Sequence, residues 1–141
     1  MKKKITALVM AAAMCLSVAA CGSSDNGGSG DTAKDTYTVG ICQLVQHQAL
    51  DAATQGFKDA LKEELGDKVE FVEQNAANDI PTCGTICNGF VSDGVDLILA
   101  NATPALQAAT AATQSIPILG TAVTEYGVAL DIENFSGTVG G

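Results

Sequence analysis

The stretch YTVGICQLVQHQALDAATQGFKDAL, residues 37–61, decides the fold of this chain. Its first part, residues 37–44, is β-branched and apolar and predicts a buried strand. Residues 48–65 carry apolar side chains at helical spacing and predict an amphipathic helix, which Gly66 is placed to end. A buried strand that leads through a short polar link into a helix is typical of an α/β fold.

Three further strands are predicted downstream. They are residues 69–73 (VEFVE), residues 95–100 (VDLILA) and residues 116–119 (IPIL). Pro117 has no backbone N–H to donate, which places the last of these strands near an edge or in an unpaired register. Thr138 and Val139 are placed to open a fifth strand.

Two more helices are predicted between these strands. Asp79 is expected to cap the first one, with Pro81 in its first turn and Gly94 at its end. Thr103 is expected as the N-cap of the second, an alanine-rich helix that runs to about Thr113. The order β-α-β-α-β-α-β with short links predicts a parallel sheet with helices on both faces.

The amino-terminal residues predict export. Lysines follow Met1, and the apolar residues 5–20 precede Cys21, so residues 1–20 read as a signal peptide. The small residues before Cys21 resemble a bacterial lipobox, which implies that Cys21 is lipidated; the alternative is an ordinary secretory signal that contains a cysteine. Residues 21–35 are rich in Gly, Ser and Asp and predict a flexible linker. Residues 36–141 have the length of one small domain.

The composition argues against several classes of protein. Beyond residue 20 there are four lysines, no arginine and sixteen acidic residues, a formal charge of −12, which disfavours nucleic acid and anionic lipid as partners. Cys42, Cys83 and Cys87 are an odd number for an exported domain, and no cluster of other Cys or His residues accompanies them. We expect them to pack as small hydrophobic side chains, with no disulfide framework, metal site or cofactor.

Polar stretches follow the carboxyl end of each predicted strand, where open parallel α/β sheets bind ligands. They supply amides, hydroxyls and the single imidazole but few charges, which favours hydrogen bonding to a small polar molecule. The candidate ligand-binding residues are Gln43, His47, Asp51, Asn75, Asn101, Thr103, Thr121 and Thr124. Thr103 and the free N–H groups behind it suit a carboxylate. Asp51 suits an amino group, or serves only as a first-turn acid favoured by the helix dipole.

Motifs of enzymes with similar sheets are missing from the sequence. There is no GxGxxG after the first strand and no GxSxG, and the glycines at 84 and 89 have P-loop spacing without the Lys-Ser/Thr that must follow. His47 and Asp51 are one helical turn apart, but the sequence places no serine or cysteine nucleophile near them. These observations favour a binding protein without catalytic residues; a Rossmann-like enzyme is the less favoured alternative.

The chain resembles the extracytoplasmic substrate-binding proteins of ABC transporters in the tryptophan/tyrosine-type group. That group commonly has a strand, a His-Pro-Ala-Leu-Asp-like stretch and a helix ending in Gly-Phe-x-x-x-Leu. The matching residues are His47, Ala49, Leu50, Asp51, Gly56, Phe57 and Leu61. The resemblance continues through residues 90–109 and 116–124. It departs at Gln48, where proline is usual, and at Glu125-Tyr126, where Asp-Pro is common, which weakens the case for a ligand role of that loop.

The resemblance implies a type I periplasmic-binding fold, in which two α/β lobes clamp a ligand. The chain is then expected to be a parallel-sheet, three-layer N-terminal lobe that ends near the hinge, with the second lobe absent; a genuine one-lobe protein is the alternative. The implied function is a lipid-anchored solute-binding component on the outer face of the bacterial cytoplasmic membrane. It would deliver an amino acid, aromatic favoured, to an ABC permease with a separate ATPase subunit. A sugar or nucleoside ligand, or a role as a ligand sensor, is the alternative.

Overall fold

The computed structural model describes residues 34–132. The elements in chain order are β1 (Tyr37–Gln43), α1 (Gln48–Leu65), a 3-10 turn (Gly66–Lys68), β2 (Val69–Asn75), α2 (Ile80–Asp93), β3 (Leu97–Asn101), α3 (Thr103–Ala112), β4 (Ile118–Thr121) and α4 (Tyr126–Ala129). The expected alternation of strands and helices is confirmed. The signal peptide, Cys21, most of the linker and the fifth strand expected at Thr138 lie outside the described residues.

The four strands form one parallel sheet in the order β2-β1-β3-β4. The registers place Gln43 beside both Asn75 and Asn101, and Asn101 beside Thr121, so these four residues end their strands at the same edge. The chain runs outward from β1 to β2 and then crosses back over β1 to β3. Open parallel sheets commonly bind ligands beyond their carboxyl edge. The switch point of this strand order lies between β1 and β3, on the side of β1 opposite β2.

Helices cover both faces of the sheet, which confirms the three-layer α/β lobe. On one face α2 and α3 enclose a large cluster of buried residues: Cys42, Ala76, Cys83, Ile86, Cys87, Phe90, Val95, Ile98, Ala100, Ala105, Leu106, Ala109 and Ala129. On the other face α1 covers a smaller cluster, Val39, Ile41, Val69 and Leu99, against which Phe57, Leu61, Leu65, Phe71 and Leu97 are partly buried. Within residues 34–132, no helix combines the length and apolarity needed to cross a bilayer.

Cys42, Cys83 and Cys87 are free thiols in the larger cluster, with none of their surface exposed. Cys42 lies on β1 and meets α2, where the other two are one turn apart. The hydrogen bond with Cys87 and burial raise the pKa of Cys42, and burial raises the pKa of Cys83. Cys42 and Cys83 therefore stay protonated at neutral pH, and all three thiols fill the core as small side chains, as the sequence predicts.

The ends of α1 and α2 follow their local sequence signals. The predicted bounds of α1 are the observed ones, and it ends at Gly66. Asp79 caps α2 by accepting a hydrogen bond from the Thr82 N–H (3.0 Å), and Gly94 ends it in the left-handed conformation (φ 67°). These bounds confirm the predicted caps of α2.

The start of α3 departs from the prediction. The assignment of Thr103 as N-cap is wrong, because the N-cap is Ala102 (φ 94°) and Thr103 is the first helical residue. The Ala102 N–H still pairs with the Thr121 carbonyl (2.9 Å), while its own carbonyl already accepts from the Leu106 N–H (3.1 Å). The chain therefore passes from sheet to helix within one residue, without a side-chain cap.

β3 and β4 each begin two residues later than predicted. Val95 is apolar and buried, but its N–H bonds back to the Phe90 carbonyl (3.2 Å) and so completes the end of α2. The Ile116 N–H likewise bonds to the Thr113 hydroxyl (3.2 Å). β4 is the outermost strand of the described sheet beyond β3, which agrees with the edge position that Pro117 predicts.

Candidate functional site

A cavity of about 540 Å³ opens at the carboxyl edge of the sheet, between β1, β2 and the start of α1. Its lining residues are Gln43, Val45, Gln46, Asp51, Glu73, Asn75 and Ala77. Two of them are carboxylates, three are amides and none is cationic, so the wall is polar and negatively charged. Gln43, Asp51 and Asn75, three of the residues selected from the sequence, meet in this one cavity.

Gln43 forms the inner wall of the cavity and is only 3% exposed. Its Nε2 donates to the Val45 carbonyl (3.0 Å) and to Asp51 Oδ1 (2.6 Å). Its Oε1 accepts from the Thr54 hydroxyl (2.8 Å) and, at 3.4 Å, from Asn101 Nδ2. Gln43 therefore holds Asp51 in place, and a direct contact between Gln43 and a ligand stays a prediction.

Asn101 lies behind Gln43 with none of its surface exposed. Its Nδ2 donates to the Leu50 carbonyl (2.9 Å) and to the Thr54 hydroxyl (2.9 Å), which ties β3 to α1. Its Oδ1 is buried and has no hydrogen-bond partner within the described part of the chain. Asn101 does not line the cavity itself but contacts Gln43, which does. Its role as a ligand contact stays a prediction.

His47 and Asp51 have separate partners. His47 is the exposed N-cap of α1, where its Nδ1 accepts from the Ala49 N–H (3.2 Å). A neutral His47 ring in this arrangement carries its hydrogen on Nε2. His47 does not line the cavity, whereas Asp51 does. His47 is thus a helix cap and Asp51 a carboxylate held by Gln43, and the ligand role of His47 stays a prediction.

The β2 side of the cavity is formed by Asn75 and Glu73. Asn75 Oδ1 accepts from the Ala77 N–H (2.7 Å), a local turn that leaves the amide NH₂ group for other partners. The Glu73 carboxylate accepts from Lys58 Nζ of α1 (2.9 Å), which partly neutralises it. The Asp51 carboxylate, held by a neutral amide, therefore carries most of the uncompensated charge in the wall.

Backbone strain is concentrated in the loops at this edge. Ala77 (φ 53°), Asn78 (φ 64°), Ala102 (φ 94°) and Ala122 (φ 55°) are non-glycine residues in a left-handed region, and they follow β2, β3 and β4. Each such residue costs about 1–2 kcal/mol and persists only where its surroundings hold it. The Asn78 N–H, for example, bonds to the Leu44 carbonyl (2.7 Å). Long-range backbone bonds such as this one hold the strained loops of the edge in place.

The remaining candidates lie along the same edge but do not line the cavity. Thr103 begins α3 and Thr121 ends β4, and both are half-buried; Thr124 is exposed in the next loop. In that loop the Tyr126 hydroxyl donates to the Gly120 carbonyl (2.7 Å), and its ring lies so close that a Cβ at Gly120 would meet it at 2.8 Å. The ligand roles of these three threonines stay predictions.

Several lining or supporting residues were not selected from the sequence, namely Val45, Gln46, Thr54, Glu73 and Ala77. A signal for Thr54 was present, since it lies four residues after Leu50 on the apolar stripe of α1. Glu73 gave no such signal, because both faces of the exposed edge strand β2 carry polar residues. Within residues 34–132, no group of three or more His, Cys, Asp or Glu side chains is arranged to hold a metal ion.

Comparisons with known proteins agree with this architecture. The chain is 40% identical over 151 residues to a tyrosine-binding protein of Clostridioides difficile (strain R20291), a match that covers 99% of this chain and 44% of that protein. It is 46% identical to a substrate-binding protein with adhesive properties from Clostridium difficile, solved in its ligand-free, open form, with a TM-score of 0.64. It is 33% identical, again with a TM-score of 0.64, to an ABC domain from Streptococcus pneumonia in complex with L-Trp.

Both structural matches cover 67% of this chain and 33% of the solved one. The chain thus spans less than half the length of these relatives. The family model described as "ABC transporter substrate binding protein" matches residues 38–138, which contain the described strands and helices, apart from Tyr37 at the start of β1, and the cavity at the carboxyl edge. The chain belongs to the ABC transporter substrate-binding protein family.

Proposed function

We propose that this chain is the N-terminal lobe of the extracytoplasmic solute-binding component of an ABC importer, and that its solute is an amino acid, aromatic favoured. The observation that carries the proposal is the Asp51 carboxylate, held by Gln43 in a cavity wall that contains no cationic residue. Such a wall suits an ammonium group. The similarity to a tyrosine-binding protein and to a domain in complex with L-Trp supports the aromatic preference.

An amino acid also presents a carboxylate, and the start of α3 suits that group. The first helical hydrogen bond of α3 is donated by the Leu106 N–H, so the N–H groups before it have no partner within the helix. The Thr103 hydroxyl lies at the same helix end, where anions are favoured. Only Val45 and Ala77 are apolar in the cavity lining, so an aromatic ring would be held mainly by the second lobe.

The mechanism is capture without catalysis. An open pair of lobes admits the solute, and closure about a hinge buries it and creates the shape that a permease recognises. The permease and a separate ATPase subunit would be the partners. The carboxyl edge of this lobe, from His47 through Thr121 and Thr124, is the surface on which the second lobe would close.

The proposed lipid anchor is compatible with this arrangement. Residues 1–20 would be removed, Cys21 lipidated, and the linker through residue 35 would connect the anchor to β1. At the start of the lobe, Lys34 forms an ion pair with Asp96, whose other carboxylate oxygen accepts from the Thr38 N–H (2.9 Å). These residues lie at the amino edge of the sheet, opposite the cavity. Lys34, the first described residue, therefore lies at the edge of the sheet opposite the cavity.

The test begins with the DNA beyond codon 141, read for a continuing frame and for neighbouring permease and ATPase genes. The full-length protein is then titrated by calorimetry with a panel of amino acids and, for contrast, with sugars and nucleosides. We expect at least one aromatic amino acid to bind and to raise the melting temperature. An amino-acid panel that shifts no melting temperature would overturn the proposed solute class.

Two variants separate the proposed contacts. Asp51→Asn keeps the size of the side chain and removes its charge, so we expect about tenfold or more weaker binding of the amino acid. Thr103→Ala is expected to weaken affinity with little change in the stability of the ligand-free protein. Unchanged affinity in either variant would remove that residue from the site.

A further inference from the structure

Thr54 is the one fully buried residue of α1, and it is polar. A hydroxyl within a helix commonly donates back to the carbonyl four residues earlier, which here belongs to Leu50. That carbonyl instead accepts from Asn101 Nδ2 (2.9 Å), and the Thr54 hydroxyl donates to Gln43 Oε1 on β1 (2.8 Å). Thr54 does not line the cavity. Its hydroxyl therefore links the interior to a residue of the cavity wall.

The hydrogen bonds that join Asn101, Thr54, Gln43 and Asp51 are all donated in the same direction, from Asn101 toward Asp51. The Leu50 carbonyl can only accept, so the Asn101 atoms that face it belong to the NH₂ group. The same NH₂ donates to Thr54 Oγ1 (2.9 Å), which directs the hydroxyl hydrogen to Gln43 Oε1. With its oxygen held there, Gln43 presents its NH₂ to Asp51 Oδ1 (2.6 Å). The series thus ends on a carboxylate in the cavity wall.

We propose that Thr54 is a positioning residue for ligand binding: by holding Gln43 Oε1 it keeps the Gln43 NH₂ on Asp51, and so holds the Asp51 carboxylate ready for the cationic group of a ligand. The inference rests on the proposed function, in which that group is the ammonium of an amino acid. Asp51 is exposed in the first turn of α1, and among the described residues Gln43 is the partner that fixes its carboxylate.

Loss of the Thr54 hydroxyl has a specific consequence at Gln43. Its Oε1 would keep only the 3.4 Å contact to Asn101 Nδ2, which is long for a hydrogen bond. A buried acceptor without a donor is unfavourable, and the open cavity beside Gln43 offers water. Gln43 then turns toward the cavity and withdraws its NH₂ from Asp51, whose carboxylate loses its fixed orientation.

The binding test uses the full-length protein and two probes, L-tyrosine and its deaminated analogue 3-(4-hydroxyphenyl)propanoate. Thr54→Val keeps the side-chain shape without the hydroxyl, and calorimetry is expected to give about tenfold weaker binding of L-tyrosine. Affinity for the deaminated analogue is expected to stay within about twofold, because it has no cationic group for Asp51. Thr54→Ser retains the hydroxyl and restores L-tyrosine binding. Equal losses for both probes, or no restoration by serine, overturn the proposal.

A second readout needs no ligand. Hydrogen exchange of the Gln43 side-chain NH₂, followed by NMR, is expected to be slow in the wild-type protein and in Thr54→Ser, and faster in Thr54→Val. Unchanged exchange in Thr54→Val overturns the positioning role. If the wild-type protein binds neither probe, the proposed solute class fails, and the exchange measurement still decides the role of Thr54. In an Asp51→Asn background, Thr54→Val is expected to weaken L-tyrosine binding no further, and an additive loss counts against the proposal.

Discussion

The two faces of the sheet are held in different ways. The α2/α3 face encloses thirteen buried residues, including the fully buried Phe90, whose ring lies 2.7 Å from where a Cβ on Gly40 would stand. The α1 face encloses four, and the one fully buried residue that α1 itself contributes is the polar Thr54. Apolar packing therefore stabilises the α2/α3 face. On the α1 face, buried side-chain hydrogen bonds near the cavity also help to hold the helix on the sheet.

Charge follows the same division. The helix α1 carries six charged side chains, whereas α2 carries only Asp93 and α3 carries none. The α1 side therefore supplies most of the solvated charged groups, among them Asp51 in the cavity wall and the Lys58 that pairs with Glu73. Apolar packing and the candidate site thus lie mainly on opposite faces of one sheet, and substitutions matched across the two faces test that division.

The largest expected contrast is between two phenylalanines. Phe90→Ala is expected to lower the free energy of unfolding by about 3–5 kcal/mol, because it empties a fully buried position in the α2/α3 face. Phe57→Ala removes a partly buried ring from the α1 face and is expected to cost about 1–2 kcal/mol. Urea unfolding of both variants measures the difference. Equal losses would contradict the assignment of stability to the α2/α3 face.

Two glycines are expected to respond with opposite signs. Gly40→Ala would place a Cβ against the Phe90 ring and is expected to destabilise the fold by about 1–3 kcal/mol. Gly56 lies within α1 with no atom within 4 Å of a built Cβ, so Gly56→Ala is expected to stabilise the fold by up to about 1 kcal/mol. The melting temperatures of the two variants provide the measurement. A shift of the same sign in both would contradict the expected difference between the packed α2/α3 face and the exposed helix α1.

Removing the N-cap of α2 is expected to cost more stability than removing the N-cap of α1, and this difference is smaller than the two before it. Asp79 accepts from both the N–H and the hydroxyl of Thr82, so Asp79→Ala is expected to lower stability by about 1 kcal/mol. His47 accepts a single 3.2 Å hydrogen bond from Ala49, and His47→Ala is expected to cost about 0.5 kcal/mol or less. Chemical denaturation of both variants at pH 7 makes the test. A larger loss at His47 would show that α1 depends more on its cap than the packing indicates.

The smallest expected effect depends on pH and lies at the amino edge, away from both faces. The Lys34 ammonium, together with the Thr38 N–H, lowers the pKa of Asp96. Because the folded pKa lies below the unfolded value of about 3.9, the unfolded chain takes up the proton first as pH falls. The stabilisation, under about 1 kcal/mol at this exposed ion pair, is present above about pH 4 and is lost as pH falls through the folded pKa.

The free energy of unfolding is measured between about pH 5 and about pH 2, a range that spans the protonation of Asp96. Asp96→Asn is expected to remove the loss of stability that this protonation causes in the wild-type protein. Lys34→Gln serves as the matched control, because it removes the ion pair and retains the Thr38 hydrogen bond, and so should remove only part of the effect. Identical acid unfolding of wild type and Asp96→Asn would contradict the coupling.

The position of a residue was predictable from the sequence where its bonding partners lie close by in the chain, and much less so where they lie far away. The bounds of α1 were predictable because an apolar stripe and Gly66 are local signals, and Asp79 was predictable because a cap bonds within its own turn. The starts of β3 and β4 were misplaced because apolar character at Val95 and Ile116 does not reveal which backbone partner each N–H will choose. In the site, the gathering of polar residues at the carboxyl ends of the strands was predictable, but the pairing of β1 with β2, which brings Gln43 beside Asn75, came only from the structure.

The amino-acid sequence alone was enough to predict the α/β alternation, the helix caps of α2, the burial of the three thiols and the edge of the sheet that carries the polar residues. All of these follow from periodicity and from bonds between residues a few positions apart. Only the tertiary structure decided that Glu73 enters the cavity wall, that His47 stays outside it, and that Asn101, Thr54 and Gln43 form one hydrogen-bonded series ending at Asp51. The reason is physical: a side-chain amide or hydroxyl in the interior bonds to whichever partner the packing of β3 against α1 brings within 3 Å. For Asn101 and Thr54, that partner lies 47 positions away in the chain.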